Sequence, residues 1–160
     1  MIIYSPLEGE RVDLGDVDDP AFSKKMLGDG VAIRPTGNLV SAPFSGGVVS
    51  LFPTKHAIGL VSDAGVEALI HIGLDTVAMN GDGFEAHILQ GQRVTAGQPL
   101  VTFNTEKIIA AGCDPITLIV ITNMRDVSEI VQLGATELAT GDRLLEVTLS
   151  DDASSRQVES

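Results

Sequence analysis

The chain has 160 residues, 44% of them apolar, enough to bury the core of one domain. Its formal charge of −12 argues against binding DNA or RNA through phosphates, which needs lysine and arginine to displace counterions, and points to a basic protein partner. Cys113 is the only cysteine, so no internal disulfide can form; with no basic-then-apolar leader and no run of about 18 apolar residues, the chain is expected in the cytoplasm and not embedded in a membrane.

Seventeen glycines and seven prolines, with no Trp and one Tyr, fit short strands joined by tight turns better than a helical bundle. Residues 1–14 read as two short strands broken around Pro6 and Gly9. Asp18-Asp19-Pro20 supplies an N-cap with Pro in the first turn, so a brief helix is expected from Ala21 to Leu27, stopped by Gly28. Val31-Ala32-Ile33 is a strand closed by Pro35-Thr36-Gly37-Asn38. Leu39 to Ala42 and Gly46 to Phe52 are two more, separated by Pro43.

The stretch from Thr54 to Thr76 holds two of the three histidines, His56 and His71, each in a run of alternating or β-branched apolar residues. Between them, Ser62-Asp63-Ala64-Gly65 is a cluster of turn formers. If residues 56–61 and 66–71 form a hairpin across that loop, Val61 faces Val66 and His56 faces His71, with Cβ atoms roughly 5 Å apart among Ile58, Leu60 and Leu69. A lone histidine in a strand is more often structural than reactive. Two facing each other among aliphatics make a poor core filling, because each ring nitrogen needs a partner.

Beyond that pair, Phe84 to Leu89 is a short strand or helical turn, and Gly91 to Phe103 is a strand-turn-strand unit. Asn104 caps a helix expected over Thr105 to Ala111 and ended by Gly112. Pro115 to Thr122 is a continuous β-branched run, expected as the most buried strand. A short helix from Val127 to Leu133 and a last hairpin around Thr140-Gly141-Asp142 complete the domain, placed at residues 1–149; residues 150–160 are a polar tail expected to be disordered. The expected fold is all-β: a compact antiparallel β-sandwich, of barrel-sandwich hybrid type, with a few short helices outside.

A neutral imidazole is a nucleophile at physiological pH once its tautomer is fixed. Attack on a phosphoryl donor gives a phosphohistidine, a second imidazole can hydrogen-bond the phosphoryl oxygens, and an apolar rim keeps out the water that hydrolyses the N–P bond. His87 has no such constellation, and Cys113 has no basic neighbour to lower its pKa.

Several motifs carry a resemblance: Gly28-Asp29-Gly30-Val31-Ala32-Ile33, Pro35-Thr36-Gly37-Asn38, Ala42-Pro43 ahead of Gly46, Thr54-Lys55-His56-Ala57 and His71-Ile72-Gly73-Leu74-Asp75-Thr76-Val77. Gly81-Asp82-Gly83-Phe84, Gly91-Gln92-Arg93-Val94 and Ile121-Thr122-Asn123 continue it in the same order. The chain resembles the glucose-type enzyme IIA of the bacterial phosphoenolpyruvate:sugar phosphotransferase system. The resemblance implies that His71 is the phosphorylated nucleophile, that His56 hydrogen-bonds the phosphoryl group, and that Thr54 orients His56. Asp29 and Asp75 match acids that border the site and meet arginines of the donor, the phosphocarrier HPr. The acceptor is a cysteine of an enzyme IIB domain, and regulatory targets are further partners. Where relatives often carry phenylalanines around the histidines, Ile58 and Ile72 stand, and with Val31 they are expected to form the apolar rim. No cofactor is required, although His56 and His71 can share a zinc ion with a partner's carboxylate in regulatory complexes.

The rival reading is a zinc hydrolase of lysostaphin-like type, with His71, Asp75 and His56 as ligands. Its usual His-x-His pair does not occur in this chain.

Overall fold

The computed structural model describes residues 1–150; the expected disordered tail falls almost wholly outside the described residues. The chain begins with β1 (Ile2–Tyr4) and β2 (Gly9–Asp13), then a 3-10 turn over Leu14–Asp16 and α1 (Pro20–Ser23). Then come β3 (Asp29–Pro35), β4 (Leu39–Ser41), β5 (Gly46–Leu51), β6 (Ala57–Ser62) and β7 (Glu67–Leu74). A 3-10 turn over Thr76–Met79 leads to β8 (Phe84–Ala86), β9 (Arg93–Val94), β10 (Pro99–Phe103) and α2 (Thr105–Ala110). After β11 (Asp114–Ile121) the chain finishes with β12 (Val127–Gln132), β13 (Glu137–Leu138) and β14 (Arg143–Leu149).

These strands form an eight-stranded sheet in the order β13-β2-β3-β11-β7-β6-β5-β9 and two three-stranded sheets, β1-β14-β12 and β4-β10-β8. Every strand pairing among the described residues is antiparallel. The main core lies between one face of the large sheet and the small sheets, where Val31, Ile33, Ile58, Ile70, Ile72 and Ile119 meet Val40, Leu100, Phe103 and Leu145. β11 sits between β3 and β7, which accounts for the burial of its β-branched run.

The large sheet's other face carries a smaller cluster of Ala32, Leu74, Ile116, Leu118 and Val120, covered by Leu14, Val17 and Phe22 from the segment before β3. Side chains alternate along a strand, so His71, opposite Leu118, which is itself opposite Ala32, belongs to this second face.

Three local expectations are corrected. Residues 127–132 form β12 and not a helix: the run Val127, Ile130 and Val131 pairs with β14, and sheet pairing overrides a weak helical pattern. The turn at Thr140-Gly141-Asp142 joins strands that do not pair with each other, since β13 binds β2 while β14 lies between β1 and β12. The first helix is one turn, Pro20–Ser23, capped by Asp19 as expected; Lys25 at φ 57 breaks it well before Gly28.

Candidate functional site

One tight turn supplies three side chains of the site. The Lys55 N–H donates to the Phe52 carbonyl at 2.8 Å, Lys55 has φ 62, and Phe52, Thr54 and His56 leave the turn toward a common point. The Thr54 hydroxyl lies 2.6 Å from Nδ1 of His56. The backbone of His56 is tied to the next strand, its carbonyl accepting from the Ile72 N–H at 2.7 Å.

The hairpin register differs from the expected one by one residue. Ala57, not His56, pairs with His71, and Val61 pairs with Glu67, not Val66. Such a slip within a strand sends a side chain to the opposite face. His56 escapes that rule because it precedes β6 and takes its direction from the turn. The two rings still meet, with centroids 5.0 Å apart and planes at 83°.

His71 is held from its own strand end. Its Nδ1 lies 2.7 Å from the Gly73 carbonyl, and a carbonyl only accepts, so Nδ1 carries the proton and the neutral ring presents a bare lone pair at Nε2. Gly73 is at φ +78, and a Cβ there would stand 2.5 Å from Thr76 Cγ2 and 2.9 Å from the Asp114 carbonyl. The fully buried Thr76 locks this corner by donating to the Ile72 carbonyl at 2.5 Å.

Two phenylalanines frame the pair. Phe22 packs its ring 5.1 Å from that of His71, and Phe52 stands edge-on to His56 at 5.6 Å. Phe22 is buried, while Phe52 is 42% exposed and forms an open rim.

Burial holds both imidazoles neutral. It is the main cause that lowers His56 to about 4, with repulsion from a charged His71 second. Burial also lowers His71, opposed by the hydrogen bond to Gly73 and then by the negative charges of Asp19 and Asp75. Asp75 is exposed, left-handed at φ 62, and makes no capping hydrogen bond with its side chain. Turn capping therefore does not account for it.

The three expected rim residues lie elsewhere. Ile58, Ile72 and Val31 are fully buried in the main core, on the opposite face of the sheet, and no partner can reach them. Strand alternation explains this: Ile72 neighbours His71 and Ile58 neighbours Ala57, so each points away from the histidines. Asp29 pairs with Lys25 at 3.3 Å and accepts from the Gly30 N–H at 2.8 Å. Asp19, read from sequence only as a helix cap, is the acid beside Asp75 that acts on His71. Sequence reasoning also missed Phe22, Phe52 and the Gly73 carbonyl. Phe52, Thr54 and His56 do share a period of two, a signal the sequence offered; nothing in it ties Phe22 to His71.

His87 is engaged by Thr102 at 2.6 Å, in the small sheet of β8 and β10. Among the described residues no three His, Cys, Asp or Glu side chains form a group that could hold a metal, so the three-ligand hydrolase site is not assembled. No helix among the described residues is long and apolar enough to cross a membrane.

Comparisons with known proteins agree on one family. The profile described as "phosphoenolpyruvate-dependent sugar phosphotransferase system, EIIA 1" matches residues 1–127. The "PTS system glucose-specific EIIA component" of Halalkalibacterium halodurans is 44% identical over 144 residues, covering 90% of this chain and 83% of that one. The solved structure of glucose permease IIA from Mycoplasma capricolum superposes with a TM-score of 0.86 at 39% identity, over 91% of this chain and 94% of that one. The chain belongs to the EIIA 1 family of the phosphoenolpyruvate-dependent sugar phosphotransferase system.

Proposed function

We propose that the chain is a phosphocarrier: Nε2 of His71 takes a phosphoryl group from the phosphohistidine of HPr and passes it to a cysteine of an enzyme IIB domain in a sugar permease. The observation that carries this reading is the bond between Nδ1 of His71 and the Gly73 carbonyl, which leaves Nε2 as the nucleophile. The names of the two relatives favour a glucose-type permease as the acceptor.

In the first transfer the N–P bond of HPr breaks as the bond from Nε2 to phosphorus forms, and the released pair stays on the donor nitrogen. The positive charge that develops on the His71 ring is shared with Nδ1–H, bonded to Gly73 and facing the field of Asp19 and Asp75. His56 takes the Thr54 hydroxyl proton as a hydrogen bond at Nδ1, so its own Nε2–H is free to donate to a phosphoryl oxygen. In the second transfer an incoming cysteine thiolate attacks phosphorus, and the N–P pair returns to Nε2. Phe22 and Phe52 limit the access of water between the two events.

Asp19 and Asp75, in a chain of net charge −12, suit a basic partner. A zinc ion between the rings would need His56 in its other tautomer, with Nδ1–H donating to the Thr54 hydroxyl and Nε2 bare, and a partner would have to bring the remaining ligands.

Incubation with phosphoenolpyruvate, enzyme I and HPr tests the proposal. The expected product carries an acid-labile, base-stable phosphate on His71. A chain that stays unphosphorylated, or carries its phosphate elsewhere, overturns it.

A further inference from the structure

Lys55 sits at the corner of the turn that presents Thr54 and His56, in the left-handed region at φ 62. Glycine and asparagine enter that region readily, whereas a lysine meets its own Cβ there, so a lysine held in it is a departure from the local optimum. Departures of this kind concentrate at functional sites. The residue is also half-buried and makes no ion pair among the described residues. In a chain with 22 acidic side chains against 10 lysines and arginines, a half-buried cation without a partner stands out.

The site has a charge deficit that this residue can meet. A phosphoryl group brings roughly −1.5 to −2 charges, and the side-chain charges acting on His71 are the negative ones of Asp19 and Asp75. His56 offers a hydrogen bond but no charge. Phosphoryl transfer is served chiefly by positioned cations. Lys25 is committed to Asp29 and Arg34 to Asp114; of the two lysines without an ion pair among the described residues, Lys24 and Lys55, only Lys55 is half-buried and next to His56.

We propose that Lys55 is the charge-compensating residue of the phosphorylated state, its ammonium answering the phosphoryl group on Nε2 of His71. The assignment rests on the carrier reading above. The strained corner fixes the start of the side chain, and the flexible four-carbon stem lets the ammonium reach the group when it arrives. Lys24, the other lysine without an ion pair, is exposed beyond the end of α1 and serves as the comparison.

The test phosphorylates the full chain through phosphoenolpyruvate, enzyme I and HPr, then follows the phosphorus resonance against pH in wild type, Lys55→Asn, Lys55→Arg and Lys24→Gln. Asparagine accepts the left-handed backbone, so Lys55→Asn removes the charge while keeping the turn. In that variant the phosphoryl group is expected to titrate at higher pH, and phosphate occupancy at equilibrium with HPr to fall about fivefold. Lys55→Arg restores both, and Lys24→Gln matches wild type. A Lys55→Asn protein with wild-type titration and occupancy overturns the assignment, as does a Lys55→Arg protein impaired to the same degree. A wild-type chain without phosphate on His71 overturns the carrier reading instead.

Discussion

Nδ1 of His71 and the carbonyl oxygen of Gly73 are 2.7 Å apart, so the tautomer of the His71 ring is set by the backbone two residues further on. That carbonyl points correctly because Gly73 is left-handed, in a corner with no room for a side chain.

Gly73→Ala is therefore expected to lose at least about 2 kcal/mol of stability, from left-handed strain and from the contact with Thr76. Phosphorylation of His71 should slow on the order of a hundredfold as the ring loses its orientation. Thermal denaturation and transfer from phospho-HPr measure the two effects. An alanine variant with wild-type phosphorylation would show that the carbonyl does not orient the ring.

Thr54→Val removes the 2.6 Å hydrogen bond to His56 while keeping a β-branched side chain of similar shape. On the carrier reading the hydroxyl donates to Nδ1 and His56 Nε2–H is the donor to the phosphoryl group, so its loss is expected to slow onward transfer about five- to tenfold, equivalent to about 1 kcal/mol of net hydrogen bond. Stability should fall by about 1 kcal/mol or more, because Nδ1 of the buried His56 is left unpaired, and Thr54→Ser should recover most of the rate. Equal rates in Thr54→Val and wild type would remove Thr54 from the site.

Much of this is legible in the sequence, and the misses have two physical causes. Glycine, proline and β-branched patterns specify strands, and the His71 to Val77 motif marks the neighbourhood of the proposed nucleophile. Sequence does not say where a strand starts: β6 begins one residue after His56, and that one residue separates a correct pairing of the rings from an incorrect register. The same slip put Ile58 on the site face in prospect and the resemblance put Ile72 there, when alternation buries both behind it. Phe22 and Asp19 come from α1 and its cap, which reach His71 only through packing across the sheet face, a contact that no local pattern encodes.

Phe52 is partly exposed and stands 5.6 Å from His56, so it guards the site more than it holds the fold. Phe52→Ala should cost no more than about 1.5 kcal/mol of stability. The phosphorylated chain should lose its phosphate to water several times faster, because the rim that excludes water is cut away. The half-life of isolated phosphoprotein at neutral pH checks this. An unchanged half-life would assign water exclusion to Phe22 alone.

The final prediction concerns acid. His56 is lowered from the ordinary 6.5 to about 4 in the folded chain, by burial first and by His71 second. Above pH 6.5 the ring is neutral folded or unfolded and adds no pH dependence. As pH falls from 6.5 toward 4 the unfolded chain binds a proton that the folded chain refuses, so folding stability declines by up to about 3 kcal/mol. Below about pH 4 both states are protonated at this ring, and its part of the decline levels off. His71 is also lowered and acts in the same direction. Urea denaturation of wild type and His56→Gln across pH 7 to 4 separates this contribution from that of the carboxylates common to both. The glutamine variant should show the shallower decline. Because burial also lowers His71, phosphoryl acceptance by its neutral ring should persist to lower pH than an ordinary histidine would allow. A wild-type stability curve parallel to that of His56→Gln would mean that His56 is not held neutral by the fold.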